Sequence, residues 1–306
     1  MPLPQKYYAH GKLLITGEYA VLDGALALAF PTKMGQWLEL DTYPNPKHTQ
    51  WNSFDVHQQI WFSCLLSEDL HILKTNDTEK AKRLLSLLHE VIVLSPSFKN
   101  VLQGTSVHTR LEFDRHWGLG SSSTLIQLLS QWADINPYLL LKNSFKGSGY
   151  DIACASANGP ILYQLIHDTP QITPISFPTE FLSNGYFVYL GNKQLSDQEI
   201  KKYSELKFDR ELLRQQITEI TNQLAQVNNG VKFCALLEKH EDLISQAIGY
   251  PKVKDRLFPT IKGTFKSLGA WGGDFVLFIG TESQIQKIKK MGYSTILPWS
   301  DMLRLN

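Results

Sequence analysis

The sequence has few cysteines, no long apolar run and almost no net charge. Its three cysteines, Cys64, Cys154 and Cys234, are far apart and form no CxxC pair, so we expect reduced thiols in a cytoplasmic protein. The formal net charge is +1, which predicts no nucleic-acid partner and no anionic membrane surface. The longest apolar stretches, such as residues 25–30, are too short to span a bilayer. We therefore expect no membrane partner.

Length and composition predict a globular protein with more than one compact part. Hydrophobic residues make up 43% of the chain and charged residues 19%, which is typical of a folded protein. The 306 residues exceed what one hydrophobic core usually serves. We expect two lobes, residues 1–180 and 181–306, with a ligand cleft between them.

Hydrophobic periodicity predicts strands and helices along the whole chain. An apolar stretch over 20–29 surrounds a turn at Asp23-Gly24. The predicted strands cover 12–16, 36–42, 51–62, 106–113, 160–165, 185–190 and 275–279. The predicted helices cover 78–93, 121–133, 150–155, 206–227, 232–248 and 283–291.

A segment rich in glycine and serine, Trp117-Gly-Leu-Gly-Ser-Ser-Ser-Thr124, lies between a predicted strand and a predicted helix. Gly118 and Gly120 let the backbone turn sharply and approach a bulky anion. The serines begin the helix, where free N–H groups and the positive end of the helix dipole favour an anion. Their hydroxyls suit phosphate oxygens or magnesium. The same residues also fit an ordinary serine-started helix after a glycine turn.

Two common nucleotide-binding patterns do not describe this segment. No Gly-Lys-Ser/Thr follows at the spacing of a Walker A loop. The third glycine of a dinucleotide-binding fingerprint is missing, and no acidic residue follows at the required distance. Any phosphate site here is therefore of another kind.

Lys12 and Asp151 could act together in phosphoryl transfer. A carboxylate can accept the proton of a substrate hydroxyl, and a nearby ammonium offsets the charge of the transferred group. A surface lysine and a helix N-cap are the simpler interpretations of the two residues. A third glycine-rich segment, residues 266–274, fits either a tight turn or a close backbone approach to phosphates.

Three segments in this order resemble the motifs of the GHMP kinases, which include galactokinase, homoserine kinase, mevalonate kinase and phosphomevalonate kinase. They are Gly-Lys-Leu-Leu-Ile-Thr-Gly-Glu-Tyr-Ala-Val-Leu-Asp-Gly at 11–24, Gly-Leu-Gly-Ser-Ser at 118–122 and Gly-Ala-Trp-Gly-Gly-Asp at 269–274. The string Gly-Ser-Gly-Tyr-Asp-Ile-Ala at 147–153 is similar to the mevalonate and phosphomevalonate branch, and to a bacterial subgroup named after Gly-Tyr-Asp-Ile-Ala.

The resemblance implies an α+β, two-lobed GHMP kinase fold. The N-terminal lobe would be like ribosomal protein S5 domain 2 and would bind ATP, and the C-terminal lobe would be ferredoxin-like. The implied reaction transfers the γ-phosphoryl group of ATP, with Mg2+, to a small, anionic metabolite that resembles mevalonate or phosphomevalonate. A monomer or homodimer is expected.

The resemblance also implies roles for individual residues. Lys12 would be the active-site lysine and Asp151 the catalytic base. The residues implied to bind ATP are Trp117, Gly118, Leu119, Gly120, Ser121, Ser122, Ser123, Gly269, Gly272 and Gly273. Ser121 and Ser122 would also hold magnesium, and the implied substrate contacts are Glu18, Ser148 and Lys193. For Glu18, a structural hydrogen-bonding role is an open alternative.

The sequence departs from the family pattern in two places. His10 stands where a proline usually precedes the Gly-Lys pair, and residues 139–149 contain no carboxylate to serve as a further magnesium ligand. Two alternatives therefore stay open. One is a diphosphomevalonate decarboxylase-like enzyme that uses ATP, and the other is a catalytically weak protein that binds a nucleotide or metabolite.

Overall fold

The computed structural model describes residues 5–144, 147–178, 182–191, 196–269 and 274–305. Within it the chain divides into two compact units. Unit 1 consists of Met1–Gly11, Met34–Arg115 and Gly120–Ser156, and unit 2 of Lys12–Lys33, His116–Leu119 and Ala157–Asn306. The lobe boundary predicted near residue 180 falls on residues outside the described ranges and stays a prediction.

Strands and helices occur in successive runs along the described part of the chain. The strands are β1 (Gln5–Thr16), β2 (Ala27–Thr42), β3 (His48–Phe54), β4 (Ile60–Ser67), β5 (Ile72–Thr75), β6 (Thr105–Leu111), β7 (Ile161–Ile166), β8 (Thr169–Pro174), β9 (Gly185–Tyr189), β10 (Thr264–Ser267), β11 (Phe275–Ile279) and β12 (Ile296–Pro298). The helices are α1 (Thr78–Leu94), α2 (Phe98–Leu102), α3 (Ser121–Ala133), α4 (Pro137–Ser144), α5 (Tyr150–Ser156), α6 (Ser196–Glu205), α7 (Arg210–Ala225), α8 (Gly230–Ile248), α9 (Val253–Leu257), α10 (Glu282–Lys290) and α11 (Trp299–Met302). A 3-10 turn covers Ala20–Asp23.

Unit 1 is a sheet with helices packed on one face. Its strands run in the order β5, β4, β3, β6 and the second half of β2, and only β3 and β6 pair in parallel among them. Side chains on β3 alternate, so that Thr49, Trp51 and Ser53 are buried while their neighbours are not. Helices α1, α3 and α4 supply much of the apolar side that packs on this core. Asp77 begins α1 by accepting a hydrogen bond from Lys80 N at 3.0 Å.

Unit 2 contains two sets of strands. The first half of β2 pairs with β7, which pairs with the exposed strand β8, and a second antiparallel sheet has the order β10, β11, β9, β12. Helix α8 packs on β10, and α7 packs on the 3-10 turn. Side chains of Asn229 and Asp209 cap the starts of α8 and α7. None of the helices in the described ranges combines the length and apolar character that crossing a bilayer requires.

The structure confirms most predicted elements and corrects two. Residues 51–62 are not one strand, because a turn after Phe54 separates β3 from β4. Asp55 Oδ1 accepts hydrogen bonds from His57 N and Gln59 N at 2.9 Å, so a carboxylate forms this turn without glycine or proline. The helix predicted over 206–227 begins only at Arg210, because the Asp209 side chain accepts from Leu212 N at 2.8 Å.

Candidate active site

The second half of the glycine-serine loop, from Gly120 onward, belongs to unit 1 and begins α3. Gly120 is the N-cap residue of α3 and has a left-handed backbone (φ +90°). Because glycine has no side chain, no side-chain hydrogen bond caps the start of this helix. Thr124 N donates the first helical hydrogen bond to Gly120 O at 2.9 Å. The N–H groups of Ser121, Ser122 and Ser123 therefore precede that bond at the positive end of the helix, where they can bind an anion.

The three serines have different surroundings. Ser123 is buried and its hydroxyl donates to Gly120 O at 2.8 Å. Ser121 is half-buried and Ser122 is exposed. The next residue, Thr124, is fully buried and donates its hydroxyl to Gln36 Oε1 at 2.6 Å, which fixes the first turn of α3 against β2. Ser121 and Ser122 thus present hydroxyls where a phosphate or cation could reach them, and Ser123 stabilises the turn.

The first half of the loop, in unit 2, packs against the strand that follows the third motif. Trp117 lies edge-to-face on Phe275 with ring centroids 5.5 Å apart. Gly118 has φ +64°, and a Cβ there would overlap the Asp274 carboxylate. Only glycine leaves room for that side chain at this backbone conformation. The second and third motifs therefore meet at Gly118 and Asp274.

Lys12 lies beside the same half of the loop. Its backbone N donates to Leu119 O at 3.0 Å, which ties β1 to the residue that precedes Gly120. The Lys12 side chain is half-buried. Within unit 2, the backbone of Lys12 is therefore joined to the last residue of the first half of the loop.

Asp151 lies in the first turn of α5, in unit 1. It is half-buried, and its Oδ1 accepts from Ile152 N at 3.0 Å. Burial and then the charge of Asp151 raise the pKa of Tyr138, which indicates that a negative charge lies near that phenol. Ser148, three residues earlier in the chain and outside α5, is buried. Lys12 and Asp151 belong to different units, and their joint action stays a prediction.

Three of the other predicted site residues lie outside the described ranges, and Gly269 lies within them. Gly269 has φ +67° and would place a Cβ 3.9 Å from Asp274 Oδ2. Gly272, Gly273 and Lys193 lie outside the described residues.

Glu18 lies in a buried cluster of charged and titratable side chains in unit 2. Lys266 Nζ donates to Glu18 Oε1 and lies 3.2 Å from Glu241 Oε1. Glu18 Oε2 is 3.3 Å from His240 Nε2, and the same nitrogen accepts a hydrogen bond from Gly17 N at 3.0 Å. All four side chains are at most 2% exposed. These contacts agree with a structural hydrogen-bonding role for Glu18. The contact of Glu18 with substrate stays a prediction.

Burial controls the protonation of this cluster. It raises the pKa of Glu18 to about 7, against the lowering effect of Lys266. It also raises the pKa of Glu241, which Lys266 and Ser267 oppose. Burial and the charge of Lys266 hold the pKa of His240 well below its usual range, so the imidazole is neutral.

Comparison with known proteins supplies structural relatives only. No family model matches the chain, and neither does any curated protein. The solved structure of mevalonate kinase from Methanococcus jannaschii is 16% identical, with a TM-score of 0.68 over 97% of this chain and 98% of that one. Phosphomevalonate kinase from Streptococcus pneumoniae, in complex with phosphomevalonate and AMPPNP, is 17% identical, with a TM-score of 0.66 over 95% and 99%. Galactokinase from Lactococcus lactis, in complex with galactose, is 10% identical, with a TM-score of 0.66 over 99% and 94%.

The chain has the GHMP kinase fold. The likeness extends over nearly the full length of each chain, which confirms the fold expected from the ordered motifs. At these identities it concerns the fold alone, because related and unrelated activities share folds.

The described part of the GHMP kinase fold offers oxygen ligands for magnesium at α3. The hydroxyls of Ser121 and Ser122 are hard oxygen donors, and Mg2+ usually keeps several waters and takes only one or two protein ligands. Among the described residues no group of three or more His, Cys, Asp or Glu side chains could hold a metal ion. The donor set fits a magnesium ion that arrives with nucleotide phosphates, and a bound Mg2+ would neutralise phosphate charge there.

Four residues of this GHMP kinase fold were absent from the sequence prediction of the site. Asp274 ends the third motif, and its position after Gly-Gly was a usable signal. His240, Glu241 and Lys266 carry no local signal, because their partners lie far away: Lys266 is 248 residues from Glu18. Only the fold brings them together.

Proposed function

We propose that this protein is an ATP-dependent kinase that transfers the γ-phosphoryl group to a small, anionic metabolite resembling mevalonate or phosphomevalonate. One observation carries the proposal. Helix α3 starts at a glycine with left-handed backbone and no side-chain cap, and Lys12 is hydrogen bonded to the residue before that glycine. This combination favours binding of phosphate groups.

The anionic acceptor is supported by two structural relatives. The relatives include an L. major mevalonate kinase in complex with R-mevalonate and the S. pneumoniae enzyme in complex with phosphomevalonate. Each acceptor carries a carboxylate or phosphate group. A galactokinase has a similar TM-score, so sugars belong in any test of the acceptor.

The residues would divide the reaction as follows. The N–H groups at the start of α3 hold the phosphates of ATP, and Ser121 and Ser122 bind magnesium or phosphate oxygens. Asp151 accepts the proton of a substrate hydroxyl as its oxygen bonds to the γ-phosphorus and ADP leaves. The Lys12 ammonium offsets the charge of the transferred group. We place the reaction in the cytoplasm, with the protein as a monomer or homodimer.

A coupled assay of ADP formation tests the proposal. The purified chain, with ATP and Mg2+, is offered mevalonate, phosphomevalonate, homoserine and galactose in turn. We expect turnover with one of the first two. For a hydroxyl acceptor, Asp151→Asn should lower kcat by about 100- to 10,000-fold, the usual contribution of a positioned base, and leave the Kd for ATP nearly unchanged.

Three other results would contradict the proposal. ATP binding without ADP formation across the panel would identify a protein that only binds nucleotide, an alternative motivated by the absence of carboxylates in 139–149. Release of inorganic phosphate together with carbon dioxide from a diphosphorylated substrate would identify a decarboxylase. Activity of D151N within a few-fold of wild type with a hydroxyl acceptor would exclude Asp151 as the base.

A further inference from the structure

The carboxylate of Glu112, the residue that follows β6 in unit 1, joins three parts of the chain. Its Oε2 accepts hydrogen bonds from the Tyr8 hydroxyl at 2.7 Å and from Gly35 N at 3.0 Å. Its Oε1 accepts from Trp37 Nε1 at 2.9 Å. Tyr8 belongs to β1, and Gly35 and Trp37 belong to β2. One half-buried side chain therefore ties β1 and β2 to the end of β6.

The packing around this carboxylate is tight. A Cβ at Gly35 would lie 2.2 Å from Ala9 O and 2.6 Å from the Tyr8 ring, so the phenol lies directly on the backbone of Gly35. The rings of Tyr8 and Trp37 have centroids 4.6 Å apart. The backbone extends the contact, because Glu112 N donates to Gly35 O at 3.0 Å. Residues 35–37 are thus fixed on the face of the sheet that carries Glu112.

Gln36 lies between Gly35 and Trp37 and faces the other side of the sheet, because successive side chains of a strand alternate. Gln36 is buried, and its Oε1 accepts a hydrogen bond from the Thr124 hydroxyl at 2.6 Å. Thr124 N donates the first helical hydrogen bond of α3, to Gly120 O at 2.9 Å. The same short stretch of β2 is therefore held by Glu112 on one face and holds the start of α3 on the other.

The orientation of the first turn of α3 decides what its N–H groups can bind. They bind a phosphate well only when they converge on one point, and a small displacement weakens the contact. We propose that Glu112 is a positioning residue for this site, because it fixes residues 35–37 and, through Gln36, holds the first turn of α3 in the orientation that binds phosphate. The positioning role rests on the proposed function, and Glu112 itself does not have to touch the ligand.

Glu112→Gln keeps the size of the side chain and changes its hydrogen bonds. A carboxylate offers two acceptor oxygens, whereas a carboxamide offers one and directs its N–H groups at a donor. We expect the Kd for Mg·ATP, from isothermal titration calorimetry, to rise by about three- to tenfold, as for the loss of one hydrogen bond. The loss of a negative charge by itself would favour an anionic ligand. Weaker binding therefore has the sign of lost positioning and not of changed charge.

Glu39→Gln is the matched control, because it removes another carboxylate that joins the same three strands. Glu39 lies on β2, three residues after Gln36. Its oxygens accept from Lys6 Nζ on β1 at 2.9 Å and from Arg110 Nη2 on β6 at 2.5 Å. We expect E39Q to bind Mg·ATP within about twofold of wild type. An equal rise of Kd in E39Q and E112Q would overturn the positioning role.

Substitutions of Thr124 test whether Glu112 acts through α3. Thr124→Val removes the hydroxyl that donates to Gln36 and should raise the Kd for Mg·ATP, whereas Thr124→Ser keeps the hydroxyl and should leave the Kd nearly unchanged. The double variant E112Q/T124V should bind no more than about twofold more weakly than the weaker of the two single variants. A rise in Kd equal to the product of the two single rises would show that Glu112 acts by another route.

Tyr8→Phe provides a milder change in case E112Q does not fold. It removes one of the three side-chain and backbone donors to Glu112 and leaves the carboxylate and the aromatic ring in place. We expect the Kd for Mg·ATP to rise by about two- to threefold, the lower end of the range for one hydrogen bond. If E112Q fails to fold, an unchanged Kd in Y8F would overturn the positioning role.

Hydrogen exchange measured by NMR follows the start of α3 without any ligand. The exchange rate of Thr124 N–H is divided by that of Leu88 N–H in the buried part of α1, so that changes in global stability cancel. We expect this ratio to rise by about three- to tenfold in E112Q and to stay within about twofold of wild type in E39Q. An unchanged ratio in E112Q would show that Glu112 does not hold the helix start.

Exchange and calorimetry together distinguish the positioning role from the proposed function. The expected exchange ratios with a wild-type chain that binds no Mg·ATP would refute the kinase proposal and leave the structural role of Glu112 intact. The expected ratios with equal Mg·ATP affinity in wild type and E112Q would refute the positioning role and leave the kinase proposal intact.

Discussion

The start of α3 and the cluster around Glu18 both use polar groups, but in opposite ways. At α3 the cap is a glycine without a side chain and Ser122 is exposed, so hydrogen-bonding capacity is available to a ligand. Around Glu18 every side chain is buried, and the polar contacts are made with other residues of the protein. The polar groups at the start of α3 can bind an anion from solution. The polar groups around Glu18 instead hold chain segments together. Position in a sequence motif does not tell the two apart.

Breaking the buried cluster should have the largest effect on stability. Lys266→Ala removes the buried cation that contacts both Glu18 and Glu241. We expect the free energy of unfolding to fall by about 3–5 kcal/mol, the usual cost of removing one partner of a buried pair, as measured by urea denaturation. Lys252→Ala is the control, because Lys252 pairs at the surface with Asp242, a residue of the same helix α8 that carries Glu241. This substitution should lower the free energy of unfolding by no more than about 1 kcal/mol. Equal losses would show that charge does not organise the cluster.

Filling the space at Gly118 should have an intermediate effect and act on the ligand. In Gly118→Ala the new methyl group overlaps the Asp274 carboxylate, and the positive φ adds about 1–2 kcal/mol of strain. Because the loop must shift, we expect the Kd for ATP to rise at least about tenfold by isothermal titration calorimetry. Gly147→Ala is the control, since a Cβ at that position meets nothing within 4 Å. An unchanged Kd in G118A would separate this half of the loop from nucleotide binding.

The smallest effects are expected for Ser122 and Ser123, whose substitutions should change different properties. Ser123→Ala removes the hydrogen bond to Gly120 O and should lower the free energy of unfolding by about 0.5–1.5 kcal/mol. Ser122→Ala should change stability by less than about 0.5 kcal/mol, yet raise the Kd for Mg·ATP by about three- to tenfold, the worth of one hydrogen bond. Thermal unfolding and calorimetry on both variants measure this. The opposite pattern would mean that Ser123, and not Ser122, contacts the nucleotide.

Local patterns predicted what local interactions determine. The bounds of α3 were correct because a glycine turn, three serines and an apolar stripe specify a helix start within one segment. The edge strand β8 was missed because it is exposed and contains two prolines, so no alternation marks it. Helix α6 was missed because its ten residues are mostly polar or charged, with Ile200 and Tyr203 as its large apolar side chains.

The candidate site shows the same limit. Lys12, the serines and Asp151 could be predicted as site residues from motifs, since each motif is short and contiguous. The burial of Glu18 was not predicted, because His240 and Lys266 join it only through the packing of α8 and β10. A motif residue can therefore be named from the sequence while its chemical state, charged or neutral, depends on distant residues.

The division of β2 between the two units has a consequence for synthesis of the chain. Its first half is fully buried from Ala27 to Phe30 and pairs with β7, which lies more than a hundred residues later. All of unit 1 is translated before β7 is made. Until then the nascent chain exposes an apolar strand edge of the kind that pairs with other chains. The order of translation thus delays the burial of this edge, and a slow stretch of translation or a bound chaperone between residues 156 and 166 would determine how long it stays exposed.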